Sequence, residues 1–236
     1  NLSIANYNWL GGTLNGSGTT TVSSNLAVTG GSTKNLTEQT LVSSVLANYS
    51  GTAFWNFDTG ASLINNGTFN DTSTGQIRSF GAGDNLTNNG SYVANSSGTS
   101  TVAVAFNNAG TVDVQSGTLS LNNGGVSSGS YTLTGLLYHS GGNHILTDTT
   151  VSGTGTFRQG NGTTTFDQIS VASYSPGNTE VNAGTLIFNH DASSNTLNHN
   201  NGILSNTANL SIANYNWLGG TLNGSGTTTV SSNLAV

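Results

Sequence analysis

The chain has 236 residues, of which only 5% are charged, and its formal net charge is −6 with three Lys or Arg residues in total. So few cations argue against a nucleic-acid partner, which needs a basic surface to neutralise phosphates. The absence of Cys and Met excludes disulfides and thiolate metal sites. No apolar run approaches the roughly 20 residues of a membrane-spanning helix, while aromatic and β-branched residues are too frequent for a disordered chain. The composition therefore predicts an ordered protein without a cofactor, a nucleic-acid partner or a membrane span.

The dominant feature of the sequence is a repeat, because residues 1–28 and 209–236 are identical at every position. The offset between the copies, 209 minus 1, is 208 residues. Self-similarity at a fixed period is the signature of repeat architectures. We therefore expect residues 1–208 to form one tandem repeat and residues 209–236 to begin the next. The sequence leaves open whether the copies belong to one giant chain or to short subunits joined end to end.

Between the copies, the chain reads as short strands separated by Gly and Asn. Residues 37–46 have apolar side chains at helical spacing, but their Thr, Ser and β-branched content favours a strand. A short helix or a protruding loop is the alternative there. Further along, an apolar residue, Asn residues, a Gly and another apolar residue recur in order at 63–69, 86–92, 106–112 and, more briefly, 200–203. The spacing of these motifs indicates a fine period of roughly 20 residues.

A unit of about 20 residues cannot bury an apolar face alone, so it must stack on its neighbours. We predict an all-β fold, a parallel β-helix or β-solenoid, in which each unit is one coil and successive coils lie about 4.8 Å apart. About ten coils would fill the 208-residue repeat and advance roughly 48 Å. An antiparallel sandwich or propeller uses the same residue types, but the fine period is shorter than the 40 to 50 residues, roughly, of a propeller blade.

The recurring Asn residues are the candidate structural sites. Asn side chains at equivalent corners of successive coils can stack into amide ladders that hydrogen-bond along the axis. A Gly beside them allows the positive φ that tight corners need. The predicted ladder residues are Asn65, Asn66, Asn88, Asn89, Asn107, Asn108, Asn200 and Asn201.

Two segments, residues 9–21 and 106–121, resemble repeats in very large secreted or surface proteins of bacteria. Such proteins include filamentous-haemagglutinin-like adhesins and repeat-rich proteins of cyanobacteria and planctomycetes. The resemblance extends over most of the chain and carries no catalytic residues. It implies a right-handed parallel β-helix exported to the cell exterior. The strict 208-residue repetition departs from the drifting repeats of most such adhesins, and this departure favours a regular filament.

Titratable residues are scattered along the chain, so we expect no enzyme. The best catalytic candidates are Asp148, Arg158 and Asp167, because the two carboxylates could stack in adjacent coils of a polysaccharide-active enzyme. His190, Asp191 and His199 are the candidate trio for a metal site. The sequence argues against such a site, because no two His residues are four positions apart and Cys is absent. His139 and His144 complete the four histidines, and we expect all four to be surface residues.

Aromatic side chains decide between two further interpretations. Exposed rings would provide platforms for sugars, whereas buried rings would fill the core, which we favour. The candidates are Tyr7, Trp9, Trp55, Tyr92, Tyr131 and Tyr138.

Taken together, these features predict a structural protein that forms an extracellular filament, sheath or surface fibre. Its partner is the protein itself, through continuing repeats along the axis and lateral bundling. The alternative is an adhesin shaft that binds carbohydrate or a surface along one face, and the more distant one is a polysaccharide-active β-helix enzyme.

Overall fold

A computed structural model describes residues 1–170 and 173–236. In this part of the chain there is no helix, hence none that could cross a membrane, and 27 strands follow one another. The strands are β1 Leu2–Trp9, β2 Gly12–Asn15, β3 Thr19–Val28, β4 Lys34–Thr37, β5 Thr40–Ser43, β6 Leu46–Tyr49, β7 Phe54–Asp58, β8 Ser62–Asn65, β9 Thr68–Asp71, β10 Gln76–Ser79, β11 Asn85–Asn88, β12 Ser91–Ala103, β13 Ala105–Asn108, β14 Thr111–Leu121, β15 Gly125–Ser127, β16 Ser130–Leu133, β17 Leu136–His139, β18 Asn143–Thr147, β19 Thr150–Gln159, β20 Thr163–Asp167, β21 Ser173–Val181, β22 Thr185–Phe188, β23 Ala192–His199, β24 Ile203–Asn206, β25 Leu210–Trp217, β26 Thr221–Asn223 and β27 Thr228–Ala235.

Successive coils pair in parallel, and each coil contributes one segment to each of three stacks of strands. Stack A contains the first parts of β1 and β3, then β5, β8, β11, β13, β15, β18, β20, β22, β24 and β26. Stack B contains the last parts of β1 and β3, then β6, β9, β16 and the first parts of β12, β14, β19, β21, β23, β25 and β27. Stack C contains β2, β4, β7, β10, β17 and the last parts of β12, β14, β19, β21, β23, β25 and β27. The strands make about twelve coils, so the predicted β-solenoid is confirmed.

Coil length varies along the axis, which the approximate sequence period does not convey. The shortest coils take 18 residues, as from Ala192 to Leu210, and the longest step takes 25, from Gln76 to Thr101. The variation lies in the corners, because the paired segments within each stack keep similar lengths. Corners can therefore absorb insertions without disturbing the ladders.

Residues 37–46 are strand rather than helix, as their composition favours. They contain Thr40–Ser43 and the first residue of Leu46–Tyr49, which lie in different stacks on either side of a corner. Leu41 faces the core, whereas Val45 at the corner is exposed. The helical spacing of the apolar residues is a coincidence of two short strands separated by two residues.

The core is one continuous column of buried side chains that runs through the coils. Strand residues alternate between buried and half-buried, because successive side chains of a strand point to opposite faces. Rings stack along the axis where equivalent positions are aromatic: the centroids of Phe69 and Tyr92 are 4.9 Å apart, and those of Phe166 and Phe188 are 5.3 Å apart. Fully burying each such ring stabilises the fold by about 1.5–3 kcal/mol.

The Gly of the recurring motif is needed for space. A Cβ added at Gly90 would lie 2.1 Å from the carbonyl oxygen of Gly67, and one added at Gly110 would lie 2.0 Å from that of Gly90. Neither Gly90 nor Gly110 has a positive φ. Our expectation that the motif glycines supply left-handed corners is therefore wrong for Gly90 and Gly110, which let the backbones of successive coils approach each other. It is confirmed for Gly202 of the fourth motif, whose φ is 79°.

Candidate functional site

Three of the predicted Asn residues form a ladder inside the solenoid. Asn65, Asn88 and Asn108 are in register in stack A and are buried. Asn65 Nδ2 donates to Asn88 Oδ1 at 2.7 Å, and Asn88 Nδ2 donates to Asn108 Oδ1 at 2.8 Å. Asn88 Nδ2 also donates to the carbonyl oxygen of Thr111 at 3.0 Å. This inner ladder joins three successive coils by amides that water does not reach, so each of its hydrogen bonds is costly to break.

The other predicted Asn residues are used in different ways. Asn89 Nδ2 donates to Asn66 Oδ1 at 2.9 Å, which makes an exposed two-residue ladder beside the inner one. Asn107 Oδ1 accepts from the backbone N–H of Val126, and Asn201 Oδ1 accepts from that of Gly202 within its own turn. Asn200 Nδ2 donates to Asn182 Oδ1 at 2.7 Å. Both Asn residues of the first two motifs therefore stack on their counterparts, and in the third motif Asn108 alone continues the stack.

Sequence analysis missed a ladder on the outside of stack B. Asn48 Nδ2 donates to Asn25 Oδ1 at 3.2 Å, and Asn70 Nδ2 donates to Asn48 Oδ1 at 3.1 Å. We call these three residues the outer ladder. Asn48 and Asn70 are in register one coil apart. Asn25 is displaced by two residues, because Asn48 faces Ala27 and Asn25 faces Leu46. The only sign of this ladder in the sequence is the spacing of its residues by about one coil, because no Gly follows these Asn residues as it does in the recurring motif.

Of the three catalytic candidates, Asp148 and Asp167 lie in adjacent coils as expected, where the backbone N–H of Asp148 donates to the backbone oxygen of Asp167 at 3.0 Å, but Arg158 lies in another stack. Arg158 lies in stack C, where register places it beside Glu180, and its Nε is 2.5 Å from Glu180 Oε2. Asp167 ends β20 in stack A, where its Oδ1 accepts from Asn189 Nδ2 at 2.6 Å. Asp148 occupies a corner with a φ of 54° and accepts from the backbone N–H groups of residues 169 and 170 at 2.7 Å. Each of these charged groups binds a neighbouring coil, and the contacts do not converge on one cleft.

The two histidines of the proposed metal trio use their Nδ1 atoms in hydrogen bonds within the protein. His190 Nδ1 lies 2.8 Å from the backbone oxygen of Asp191, and His199 Nδ1 lies 3.0 Å from the hydroxyl of Tyr215. In residues 1–170 and 173–236, no three His, Asp or Glu side chains are placed to hold a metal ion.

All four histidines are buried, contrary to the surface position that we expected, and two of them are stacked on each other. The ring centroids of His139 and His144 are 3.8 Å apart. Burial lowers the pKa of His139, and the proximity of His144 lowers it further. Burial also lowers the pKa of His144, to about 4, although hydrogen bonds to the backbone oppose the shift. Both rings are therefore neutral at physiological pH.

The imidazole of His139 belongs to a polar network in the core. Its Nδ1 is hydrogen-bonded to Thr164 Oγ1 at 2.9 Å, and that hydroxyl donates to Gln159 Oε1 at 2.6 Å. A hydroxyl beside an imidazole is the usual arrangement of an activated nucleophile. Here, however, Thr164 is fully buried and His139 is 1% exposed, so no substrate reaches them. The network instead gives hydrogen-bond partners in the core to His139 Nδ1, Thr164 Oγ1 and Gln159 Oε1.

A buried carboxyl group, Asp71, forms a second polar network. Asp71 accepts from Tyr92 Oη at 2.5 Å, from Ser73 Oγ at 2.7 Å and from the hydroxyl of Ser100. Burial raises its pKa, and the hydrogen bonds from Ser100, Tyr92 and Ser73 oppose that shift. Because Tyr92 belongs to stack B and Ser100 to stack C, the carboxyl group ties the two stacks together. Neither the partners nor the burial of Asp71 could be inferred from its sequence neighbours.

Most of the aromatic candidates fill the core. Trp9, Trp55, Tyr92 and Tyr131 are buried, whereas Tyr7 and Tyr138 are half-buried. The most exposed ring is Phe80, with 65% of its surface accessible. It borders a shallow cleft of about 320 Å³ whose other lining residues are Thr13, Asn35, Thr37, Asn56 and Asp58.

The comparisons with known proteins found no relative. No protein-family model matches the sequence, and no curated protein or solved structure matches the chain.

Proposed function

We propose that the chain is a structural module of an extracellular tandem-repeat filament, sheath or surface fibre, and that it has a mechanical rather than a catalytic role. The observation that carries this proposal is the continuous stack of parallel coils with hydrogen-bonded side-chain ladders along the axis. Repetition of such coils gives an elongated body without a new domain interface at every repeat.

The direction of the hydrogen bonds supports a load-bearing role. Where β8, β9 and β7 meet the following coil, four residues in each of the three stacks are in register. Backbone hydrogen bonds of parallel strands run from strand to strand, which is along the solenoid axis. A pulling force along the axis is therefore shared among three stacks at these junctions. The inner and outer ladders add side-chain hydrogen bonds in the same direction.

The composition supports a position outside the cell. Without Cys or Met, the chain offers no easily oxidised sulfur. The sequence resemblance to bacterial surface repeats points to the same location. The proposed partner is a further copy of the repeat along the axis.

The test is the axial periodicity of native particles, measured by fibre diffraction or electron microscopy. We expect elongated particles with a strong meridional reflection at about 4.8 Å, the spacing of paired strands along the axis. Discrete compact particles without this reflection would contradict the filament proposal.

A second candidate function is carbohydrate binding along the shaft, and the cleft beside Phe80 is the observation that favours it. An exposed ring next to Asn35, Asn56 and Asp58 offers stacking and hydrogen bonding to a sugar. A glycan array probed with the wild-type chain and with Phe80→Ala tests this function. Binding that Phe80→Ala loses and Phe80→Tyr keeps would support it, whereas equal binding by all three chains would place recognition elsewhere.

A further inference from the structure

The two identical segments fold into the same coil. In residues 1–28, Leu2 is in register with Thr20, and the register shifts between Ile4 and Asn6. In residues 209–236, Leu210 is in register with Thr228, and the shift falls between the corresponding residues. The shape of this coil is therefore encoded by its own 28 residues.

The two coils nevertheless occupy different stacks. Residues 6–9 lie in stack B, in register with residues 25–28. Their copy, residues 214–217, lies in stack C, in register with residues 196–199. Following the register of stack C back through the molecule leads to β2, not to residues 6–9.

The surroundings of the equivalent side chains show the same displacement. The ring of Trp9 packs edge-on against Trp55, with centroids 5.7 Å apart. The ring of its copy, Trp217, stacks at 5.9 Å on His199. An identical coil is thus accommodated on two sides of the solenoid by different neighbours.

The displacement can be counted along the strands. Starting from the first part of β1 in stack A, ten coils bring stack A to β24. The copy of β1 begins with the next segment, β25, which enters stack B before stack C. The 208-residue repeat therefore takes ten coils and one further side of a three-sided coil.

The face formed by residues 228–236 lacks the cover that the same sequence has in the first copy. Val22, Leu26 and Val28 are buried beneath β5 and β6. In the second copy, Leu234 is 55% and Val236 is 90% exposed. In the first copy, the covering strands β5 and β6 belong to the segment that follows residue 28.

We propose that this face accepts a further copy of residues 29–208, and that each copy is turned by one side of the solenoid, a third of a turn, relative to the preceding copy. The proposal rests on the filament function. Each copy then advances the axis by about 50 Å, and a given residue returns to the same side after three copies, or about 150 Å.

This arrangement has two physical consequences. Any feature that would bend one repeat, such as a wide corner, recurs on all three sides, so its effect on curvature averages out and the filament stays straight. Outward features such as Phe80 also appear on every side, so the fibre presents the same chemistry in all directions.

Cysteine pairs in the full chain test the displacement, because the native chain has no Cys. Asn198 and Asn216 face each other in stack C, with Nδ2 and Oδ1 2.8 Å apart. The pair Asn198→Cys and Asn216→Cys should form a disulfide on mild oxidation, since directly opposed strand residues meet the required geometry. If the copy kept the side of residues 6–9, Asn216 would lie in stack B, and Ser193→Cys with Asn216→Cys would cross-link instead. Ser193→Cys with Ser211→Cys, opposed in stack B, is the positive control.

A chain extended after Val236 by residues 29–236 tests the accepting face. Electron microscopy should show a rod lengthened by about 50 Å, with successive copies turned by a third of a turn. A lengthened rod whose copies superimpose by translation alone would overturn the rotation and leave the filament proposal standing. Failure of the added copy to stack on the first would overturn both the rotation and the filament proposal. The cysteine pairs would still report the displacement within the 236 residues.

Discussion

The N-terminal half of the solenoid encloses a carboxyl group and an amide ladder in its core, whereas the C-terminal half encloses two stacked imidazoles. Asp71 and the inner ladder lie within residues 65–108, and His139 and His144 follow in the next coils. The two halves share their fold, their parallel stacks and their apolar column, but burial shifts their titratable groups in opposite directions. One core can therefore hold different polar chemistry, because hydrogen bonds such as those of Asp71 and His139 offset much of the cost of burying polar groups.

The opposite shifts give the halves opposite responses to pH. The raised pKa of Asp71 means that its contribution to stability is complete below the unfolded value of 3.8 and is lost as the pH rises through the folded value. The lowered pKa of His144 means that its contribution is complete above 6.5 and is lost as the pH falls towards about 4. Lowering the pH therefore reduces the stability of the coils around His144 and increases that of the coils around Asp71.

The largest effect should come from breaking the inner ladder at its centre. Asn88→Ala leaves the Oδ1 of Asn108 buried without its donor, at about 1–3 kcal/mol. Asn65 Nδ2 keeps the backbone oxygens of Gly67 and Ser91 as acceptors. With the added cavity, we expect a loss of about 3–5 kcal/mol in the free energy of unfolding, measured with denaturant. The matched control is the adjacent Asn89→Ala, whose side chain is exposed and should cost about 0.5 kcal/mol or less. Equal losses in the two variants would show that burial does not strengthen the ladder.

The next effect concerns the histidine half. Lowering the pH from 6.5 to 4 should reduce the stability of the coils around His144 by on the order of 3 kcal/mol, because the unfolded chain takes up the proton first. Hydrogen exchange followed by mass spectrometry, corrected for the intrinsic pH dependence, should show protection falling in β17 to β20. In His144→Phe this fall should be smaller. A uniform loss across both halves would contradict the assignment to the imidazoles.

A smaller effect of opposite sign is expected around Asp71, in the N-terminal half. Asp71→Asn keeps the shape of the side chain and removes the charge that burial disfavours. The stability of the variant should stay level where that of the wild type falls with rising pH, with a gain of about 1 kcal/mol near neutral pH. Denaturant unfolding at several pH values measures it. A wild-type chain whose stability does not fall as Asp71 ionises would contradict the raised pKa.

The coils can be predicted from the sequence more completely than the side-chain contacts in the core. The motifs at 63–69 and 86–92 fixed the strand type and the coil length, because Asn65 and Asn88 fall one coil apart. In the third motif, Asn107 and Asn108 are both candidates, and the pattern cannot tell which one points inward. The structure selects Asn108, since that coil takes 20 residues rather than 23.

Contacts across the core depend on coil lengths that no motif marks. His139 and His144 belong to different stacks, so their stacking follows from a corner of particular length. The one-sided displacement of residues 209–236 depends in the same way on every corner before it. Corner lengths vary between coils, and a sequence period of roughly 20 residues cannot decide between ten coils and ten and a third.

The smallest effect separates two kinds of outward contact. In the C-terminal half, Arg158 and Glu180 form an ion pair with both side chains partly exposed, while in the N-terminal half Asn48 and Asn70 form the corresponding contact as neutral amides. Double-mutant cycles to Ala should give about 0.3–1 kcal/mol for the ion pair at low salt, and a similar value for the amides. In 1 M salt the Debye length falls to about 3 Å, so the ion-pair coupling should largely disappear while the amide coupling persists. Loss of both couplings in salt would mean that the outer ladder depends on its charged neighbours. If both couplings persist, the ion pair is held by its hydrogen bond, and its charge contributes little to the stability of the coil.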